Sequence, residues 1–187
     1  MTWCKPNETM YTLFGLHNGG WQRIRQFCFA EPPQNAAPPR VTAAMVLRAF
    51  RQVPLPESRS IAQPAGKTLV NFETIFHADA ESFTRTVTLL GQRVQLDIRP
   101  SRFHWVFGDG ASEDTATAGA PYPSKEIVHK YLDAHVTVEH HLEVTWAARY
   151  SVNGGPWRDV PGTVTRTGPA TALRIAEATP ALSGEGH

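Results

Sequence analysis

The chain has 187 residues, enough for one well-buried domain with an appendage or for two small domains. Its 18 lysines and arginines nearly balance 17 aspartates and glutamates, which argues against an electrostatic surface for nucleic acid or acidic lipid. No apolar run approaches the roughly 18 residues of a membrane helix, and the first residues lack a signal-peptide pattern. We therefore expect no nucleic-acid partner and no membrane span, and export would require a signal outside this sequence.

The N-terminal segment predicts a β-hairpin closed by a disulfide. Residues Tyr11 to His17 and Trp21 to Phe29 flank Asn18-Gly19-Gly20, and Asn-Gly favours a tight turn because both positions tolerate positive φ. This pairing brings Cys4 and Cys28, the two cysteines of the chain, to the same end. A disulfide of that loop length is worth about 3 kcal/mol and favours a location outside the cytoplasm. Free thiols are the alternative.

A short helix between two proline-rich linkers is predicted next. The stretch "EPPQNAAPPR" is a stiff connector, since each proline fixes φ and removes a donor. In "VTAAMVLRAFRQV" the apolar residues recur at helical spacing until Pro54. The prolines and glycine of "PLPESRSIAQPAGK" disfavour regular structure over much of its length.

From Thr68 onward the apolar residues alternate with polar ones, which predicts strands with one buried face. The runs "RVQLDI", "FHWVF" and "VTVEHHLEVTW" show this period most clearly, and "TLVNFETIFHA" is predicted as the first strand of the sandwich. A second hairpin turn is predicted at Asn153-Gly154-Gly155. About seven or eight short strands without interleaved helices predict an antiparallel β-sandwich, and hence a mainly β protein with a hairpin arm and one short helix.

These patterns divide the chain into four segments. We expect the cysteine-bearing hairpin and connector in residues 1–39, the helix and linker in 40–67, the sandwich in 68–179 and a flexible tail in 180–187.

The stretch "WVFGDGAS", followed by "HKYLDAHVTVEHHLEV", resembles the signature of PKD (polycystic kidney disease) domains, which implies an Ig-like sandwich. The inserted "GAPYP" and the cysteine-bearing N-terminal piece also resemble stand-alone PKD-like envelope or secreted proteins of actinobacteria. Where the family has a glycine and an aromatic residue before the next strand, this chain has Ala134-His135-Val136. The residues that match the family pattern are Trp105, Gly108, Asp109, Gly110, His129 and Tyr131.

Each matching residue has a structural role on physical grounds. Gly108 and Gly110 allow the backbone conformations that a sharp turn needs, and Asp109 can accept hydrogen bonds from the following amides. Trp105 can fill the space between two sheets, and Tyr131 can bury its ring while its hydroxyl binds a backbone group. We therefore expect the Gly-Asp-Gly stretch to turn the chain.

Two metal sites are alternatives. Calcium prefers clustered carboxylates, which makes Asp109, Glu113 and Asp114 candidates, although their spacing differs from that of an EF-hand. A strand ladder of Glu139, His141 and Glu143 is a second candidate within a histidine-rich region. His140 falls on the apolar parity of its strand, which implies a bulge or a partner for its ring. The histidines of this region are His129, His135, His140 and His141. We expect neither a metal nor another cofactor.

The sequence carries no GxSxG, HExxH, Walker or dinucleotide-binding motif. We therefore expect a non-catalytic extracellular or cell-envelope module that acts by contact with a protein, with a second copy of itself, or with a glycan. A small secreted carbohydrate-active enzyme, or an accessory domain of one, is the alternative. The strand predicted over residues 68–78 contains no proline and no lysine, so we expect it to be an uncapped sheet edge. We expect this edge and the hairpin to lie at or near an interface with a partner.

Overall fold

The computed structural model describes residues 4–17, 19–30 and 39–178. The chain divides into two compact units, Met1–Arg40 and Val41–His187. Most of the connector that we predicted from the prolines, the Asn18 position of the first turn, and the predicted tail at 180–187 lie outside the described residues.

The N-terminal unit contains an antiparallel hairpin of β1 (Glu8–His17) and β2 (Gly20–Ala30). Its strands pair from Glu8 opposite Ala30 to His17 opposite Gly20, with a bulge after Leu13. Cys4 and Cys28 form a disulfide with their Cα atoms 5.5 Å apart. The predicted disulfide is therefore confirmed.

The larger unit begins with the helix α1 (Ala43–Gln52). The Thr42 hydroxyl caps its first turn by accepting a hydrogen bond from the Met45 amide at 3.4 Å. Val46 and Phe50 lie on one face and are fully buried, as the helical spacing predicts. The helix stops just before Pro54, which cannot donate the next backbone hydrogen bond.

The described strands of the larger unit form two sheets. In chain order these strands are β3 (Ile61–Gln63), β4 (Lys67–Leu69), β5 (Thr74–His77), β6 (Phe83–Leu89), β7 (Gln92–Val106), β8 (Ser112–Thr115), β9 (Val128–His129), β10 (Thr137–Val152), β11 (Arg158–Asp159), β12 (Val164–Thr167) and β13 (Thr171–Ala176). The large sheet has the order β4-β13-β10-β7-β6, with β8 beside β7 and with β11 and β12 beside β10. The small sheet has the order β3-β5-β9.

Two long strands, β7 and β10, form the middle of the large sheet. β7 is one strand where the sequence predicted two. The runs around Leu96 and Trp105 were predicted as separate strands, yet both lie in β7, which continues through Pro100. The proline lies opposite Trp146, where the pairing with β10 shifts by one residue. Proline is tolerated at such an irregularity because the regular ladder of hydrogen bonds is already interrupted there. The predicted turn after β10 is confirmed, with positive φ at Asn153 (51°) and Gly154 (76°).

Both sheets and the helix contribute to one apolar core. The inward faces of β7 and β10 alternate as predicted and bury Trp105 and Trp146 completely. Phe76 from the small sheet and Phe50 from the helix join them, also fully buried. The mainly β fold with one described helix is confirmed, and two sheets over a shared core are consistent with a β-sandwich. The described strand pairs are antiparallel except for β4 and β13, which run parallel.

The predicted single strand over residues 68–78 is wrong. The chain forms β4, turns at Val70 to Glu73, and then enters β5 in the other sheet. Asn71 lies at the turn with φ at 58°, a conformation that asparagine adopts more readily than most residues. Since β5 pairs with β3 on one side and β9 on the other, it is not a free edge. Among the described strands, β4 does lie at an edge of the large sheet, so the edge prediction holds for that short strand alone. Alternation alone could not reveal this, because the period of a strand does not specify which sheet the strand joins.

Candidate functional site

The Gly-Asp-Gly stretch forms the turn between β7 and β8. Gly108 and Gly110 have φ of 87° and 92°, and Asp109 accepts a hydrogen bond from the Ala111 amide at 3.0 Å. Gly108 also passes so close to β10 that a Cβ atom there would lie 2.6 Å from the backbone oxygen of Glu139. The turn thus needs glycine for its conformation and, at Gly108, for lack of space.

The same aspartate joins the turn to β9. Asp109 Oδ2 lies 2.6 Å from His129 Nε2, and the His129 ring stacks on Phe107 with centroids 4.1 Å apart. The Tyr131 ring meets His129 edge-on, and its hydroxyl donates to the Phe107 backbone oxygen at 3.0 Å. Burial raises the pKa of Asp109, but the hydrogen bonds from His129 and Ala111 outweigh it and hold the pKa below its usual value. Burial raises the pKa of the Tyr131 hydroxyl. The side chains of Asp109, His129 and Tyr131 are therefore bonded to one another or to the backbone in this corner.

Trp105 precedes this corner and points into the core. Its ring is fully buried, and its Nε1 donates to the Thr115 hydroxyl at 3.0 Å. Phe76 from the small sheet lies 6.4 Å away between ring centroids. Trp105 therefore fills the space between the sheets, as a structural residue would.

The three calcium candidates do not converge. Asp114 binds Arg102 at 2.6 Å and His104 at 2.9 Å, and hydrogen bonds from these two side chains, Arg102 first, lower its pKa to about 2. Asp109 faces His129 instead, and Glu113 is exposed on β8. Among the described residues, one group of metal-type donors lies within coordinating distance, namely Cys4, Glu8 and Cys28, and both cysteines are already bonded in the disulfide.

The histidines also take separate places. His140 is buried, and its Nδ1 lies 2.8 Å from the Ser60 hydroxyl, which is the partner that its apolar parity requires. Burial, and secondarily the neighbouring His141, lower the pKa of His140 to about 4. His135 lies at φ 62° and faces Glu177 at 3.4 Å. Within the described ranges the candidate ladder of Glu139, His141 and Glu143 forms no group of metal donors.

A cleft that the sequence analysis missed lies beside the small sheet. It has a volume of about 470 Å³ and is enclosed by the end of β3, the turn between β4 and β5, and the loop before and after β9. The rings of Tyr122 and Phe72 are 72% and 51% exposed at its rim, and Ile75 is buried beside it. The Tyr122 amide donates to Gln63 Oε1 at 2.7 Å and so fixes the loop against β3. The lining residues are Gln63, Pro64, Asn71, Phe72, Glu73, Ile75, Tyr122, Lys125 and Lys130.

The charges of the cleft are partly paired. Lys125 Nζ lies 2.6 Å from Glu73 Oε2, whereas Lys130 Nζ lies 3.7 Å from Glu73 Oε1. The hydrogen bond and the charge of Lys125 hold the pKa of Glu73 below its usual value. Two ammonium groups against one carboxylate leave a net positive charge, and Lys130 is the less firmly paired of the two lysines. Only the inserted "GAPYP" signalled this site, since it supplies Tyr122.

The hairpin presents a second unusual surface. Its large apolar side chains are exposed on both strands, and Tyr11 packs on Phe27 and Phe29 at 6.1 and 6.4 Å between ring centroids. Arg23 and Arg25 lie opposite Phe14 and Leu13. The apolar residues more than 40% exposed in the hairpin are Met10, Tyr11, Leu13, Phe14, Leu16, Trp21, Ile24, Phe27 and Phe29.

In the part of the chain that the structure describes, no helix is both long and apolar enough to cross a membrane. Comparison of the chain with protein-family models gave no match. The search of curated proteins likewise gave none, and neither did the search of solved structures.

Proposed function

We propose that this protein is a non-catalytic interaction module of the extracellular space or cell envelope, built on a PKD-like sandwich and acting by protein contact through its N-terminal hairpin. The observation that carries the proposal is the hairpin surface. Nine large apolar side chains are exposed on two strands. A two-stranded hairpin is marginally stable in water, and an apolar patch of this kind is typical of a surface that meets a partner.

The disulfide supports both the location and the role. It closes the end of the hairpin at Cys4 and Cys28, and disulfides persist mainly in oxidising compartments. A covalent closure keeps the strands paired while their side chains stay available for contact, which reduces the ordering cost of binding.

The PKD-like assignment is supported by the corner at Asp109, His129 and Tyr131. Three of the residues that carry the sequence resemblance form this corner and connect the turn after β7 to residues 129–131. Their side chains bind each other and the backbone, as expected of residues that stabilise a fold.

The carboxylate of the cleft beside the small sheet does not match the pair that glycoside hydrolysis needs. Most glycoside hydrolases use two carboxyl groups, one with a raised pKa. Glu73 supplies the one carboxylate among the described lining residues of the cleft, and its lysine neighbours lower its pKa. At this cleft, binding of a saccharide therefore fits the lining residues better than hydrolysis of a saccharide does.

A second copy of the chain is the partner to test first, since an apolar patch can meet itself in a symmetric pair. Sedimentation equilibrium of the intact protein should show association that Leu16→Ser weakens by about tenfold or more. Leu132→Ser is the matched control, because Leu132 is 76% exposed in the other unit and Leu16 is 66% exposed. A strictly monomeric protein, or equal effects of both substitutions, would contradict self-association through the hairpin.

A further inference from the structure

The lining residues of the cleft beside the small sheet all belong to the larger unit, and the cleft requires its own explanation. Three separate segments build it, at residues 63–64, 71–75 and 122–130. The Asn71 backbone amide donates to the Tyr131 backbone oxygen at 2.8 Å, and the Tyr122 backbone amide donates to the Gln63 side chain. Hydrogen bonds therefore fix the two segments that carry the aromatic residues at the rim of the cleft.

The lining combines two kinds of surface. Tyr122 and Phe72 expose their rings to solvent. A ligand that covered these rings would gain free energy, because apolar surface would be removed from water. Amide groups of Gln63 and Asn71 and the ammonium groups of Lys125 and Lys130 lie around those rings. Apolar walls with a few polar groups of this kind are typical of a site for a small ligand.

The charge of the cleft favours an anionic ligand over a cationic one. Glu73 already accepts a close contact from Lys125, while Lys130 stands 3.7 Å from the same carboxyl group and its side chain is 54% exposed. An incoming anion can therefore pair with Lys130 without displacing the tighter bond. A cationic ligand would face two ammonium groups against one carboxylate.

We propose that the cleft binds an anionic saccharide, a sugar chain that carries carboxylate groups. The apolar face of a sugar ring would stack on Tyr122, its carboxylate would pair with Lys130, and its hydroxyl groups would meet the amides of Gln63 and Asn71. Sugars offer all three kinds of contact on one small molecule. The proposal does not depend on the hairpin or on its partner.

Calorimetric titration of the intact protein with a uronic-acid tetramer tests this site. Binding should be at least about tenfold tighter than for an uncharged tetramer such as maltotetraose, and it should weaken as salt screens the charge contact. Tyr122→Ala and Lys130→Gln should each weaken the acidic tetramer by about tenfold or more, whereas Tyr122→Phe should retain binding because it keeps the ring.

Matched controls lie elsewhere in the same unit. Trp157→Ala removes an aromatic ring that is 43% exposed, and Lys67→Gln removes an exposed lysine on β4; both should leave the affinity within about twofold. Equal affinity for acidic and uncharged tetramers, or no binding of either, would overturn the proposal. The same holds if Tyr122→Ala leaves saccharide binding intact but changes the sedimentation of the protein, since the cleft would then be a protein contact.

Discussion

Substituting alanine for either glycine of the Gly-Asp-Gly turn separates two physical effects. Gly108 and Gly110 have nearly the same positive φ, 87° and 92°. An added Cβ on Gly108 would lie 2.6 to 2.8 Å from three backbone atoms of Glu139, whereas on Gly110 it would have no neighbour within 4 Å. The pair therefore differs in steric space and hardly at all in backbone conformation.

The expected losses follow from these distances. A side chain in the left-handed region costs about 1–2 kcal/mol, so Gly110→Ala should lower the free energy of unfolding by that amount. At Gly108 the turn must also move away from β10, and forced overpacking costs about 1–3 kcal/mol more. Gly108→Ala should therefore lose about 2–5 kcal/mol, because backbone atoms cannot swing aside as a flexible side chain can.

Urea denaturation of the two variants and the parent protein, followed by tryptophan fluorescence, gives the comparison directly. Gly108→Ala should unfold at a lower urea midpoint than Gly110→Ala, with similar slopes for both variants. Equal losses within about 0.5 kcal/mol would show that the approach of the turn to β10 is not a constraint on the fold.

Three further predictions use the same assay. Trp105→Ala should lower the free energy of unfolding by about 3–5 kcal/mol, since it empties a fully buried position. Asp109→Asn should cost about 1–2 kcal/mol through the weaker contact with β9, with no response to added calcium; a larger loss than that of Trp105→Ala would indicate a ligand at the turn. Burial, and secondarily His141, lower the pKa of His140 from 6.5 to about 4, so between those pH values the unfolded chain binds a proton there that the native chain excludes. Stability should thus fall by up to about 3 kcal/mol from this group as the pH drops from 6.5 to 4, and His140→Phe should flatten the decline while His17→Ala, an exposed control, should not.

Sequence patterns captured the features that depend on neighbouring residues. The hairpin and its disulfide follow from two runs of strand-forming residues and two cysteines on either side of Asn18-Gly19. The buried faces of β7 and β10 follow from alternation, and the helix follows from the spacing of Val46 and Phe50. Each of these depends on backbone geometry and side-chain period within a few residues, which the linear order specifies.

The tertiary structure decided what depends on distant segments. Pro100 continues a strand only because β10 shifts its pairing at Trp146. The Val70–Glu73 region turns because its flanking strands join different sheets. Glu73 is far along the chain from Tyr122 and Lys130, and only the packing of the loop against β3 and β5 places them around one cleft. Local period sets which face of a strand is apolar, but the free energy of burying that face against another sheet selects its neighbours, and that choice involves the whole chain.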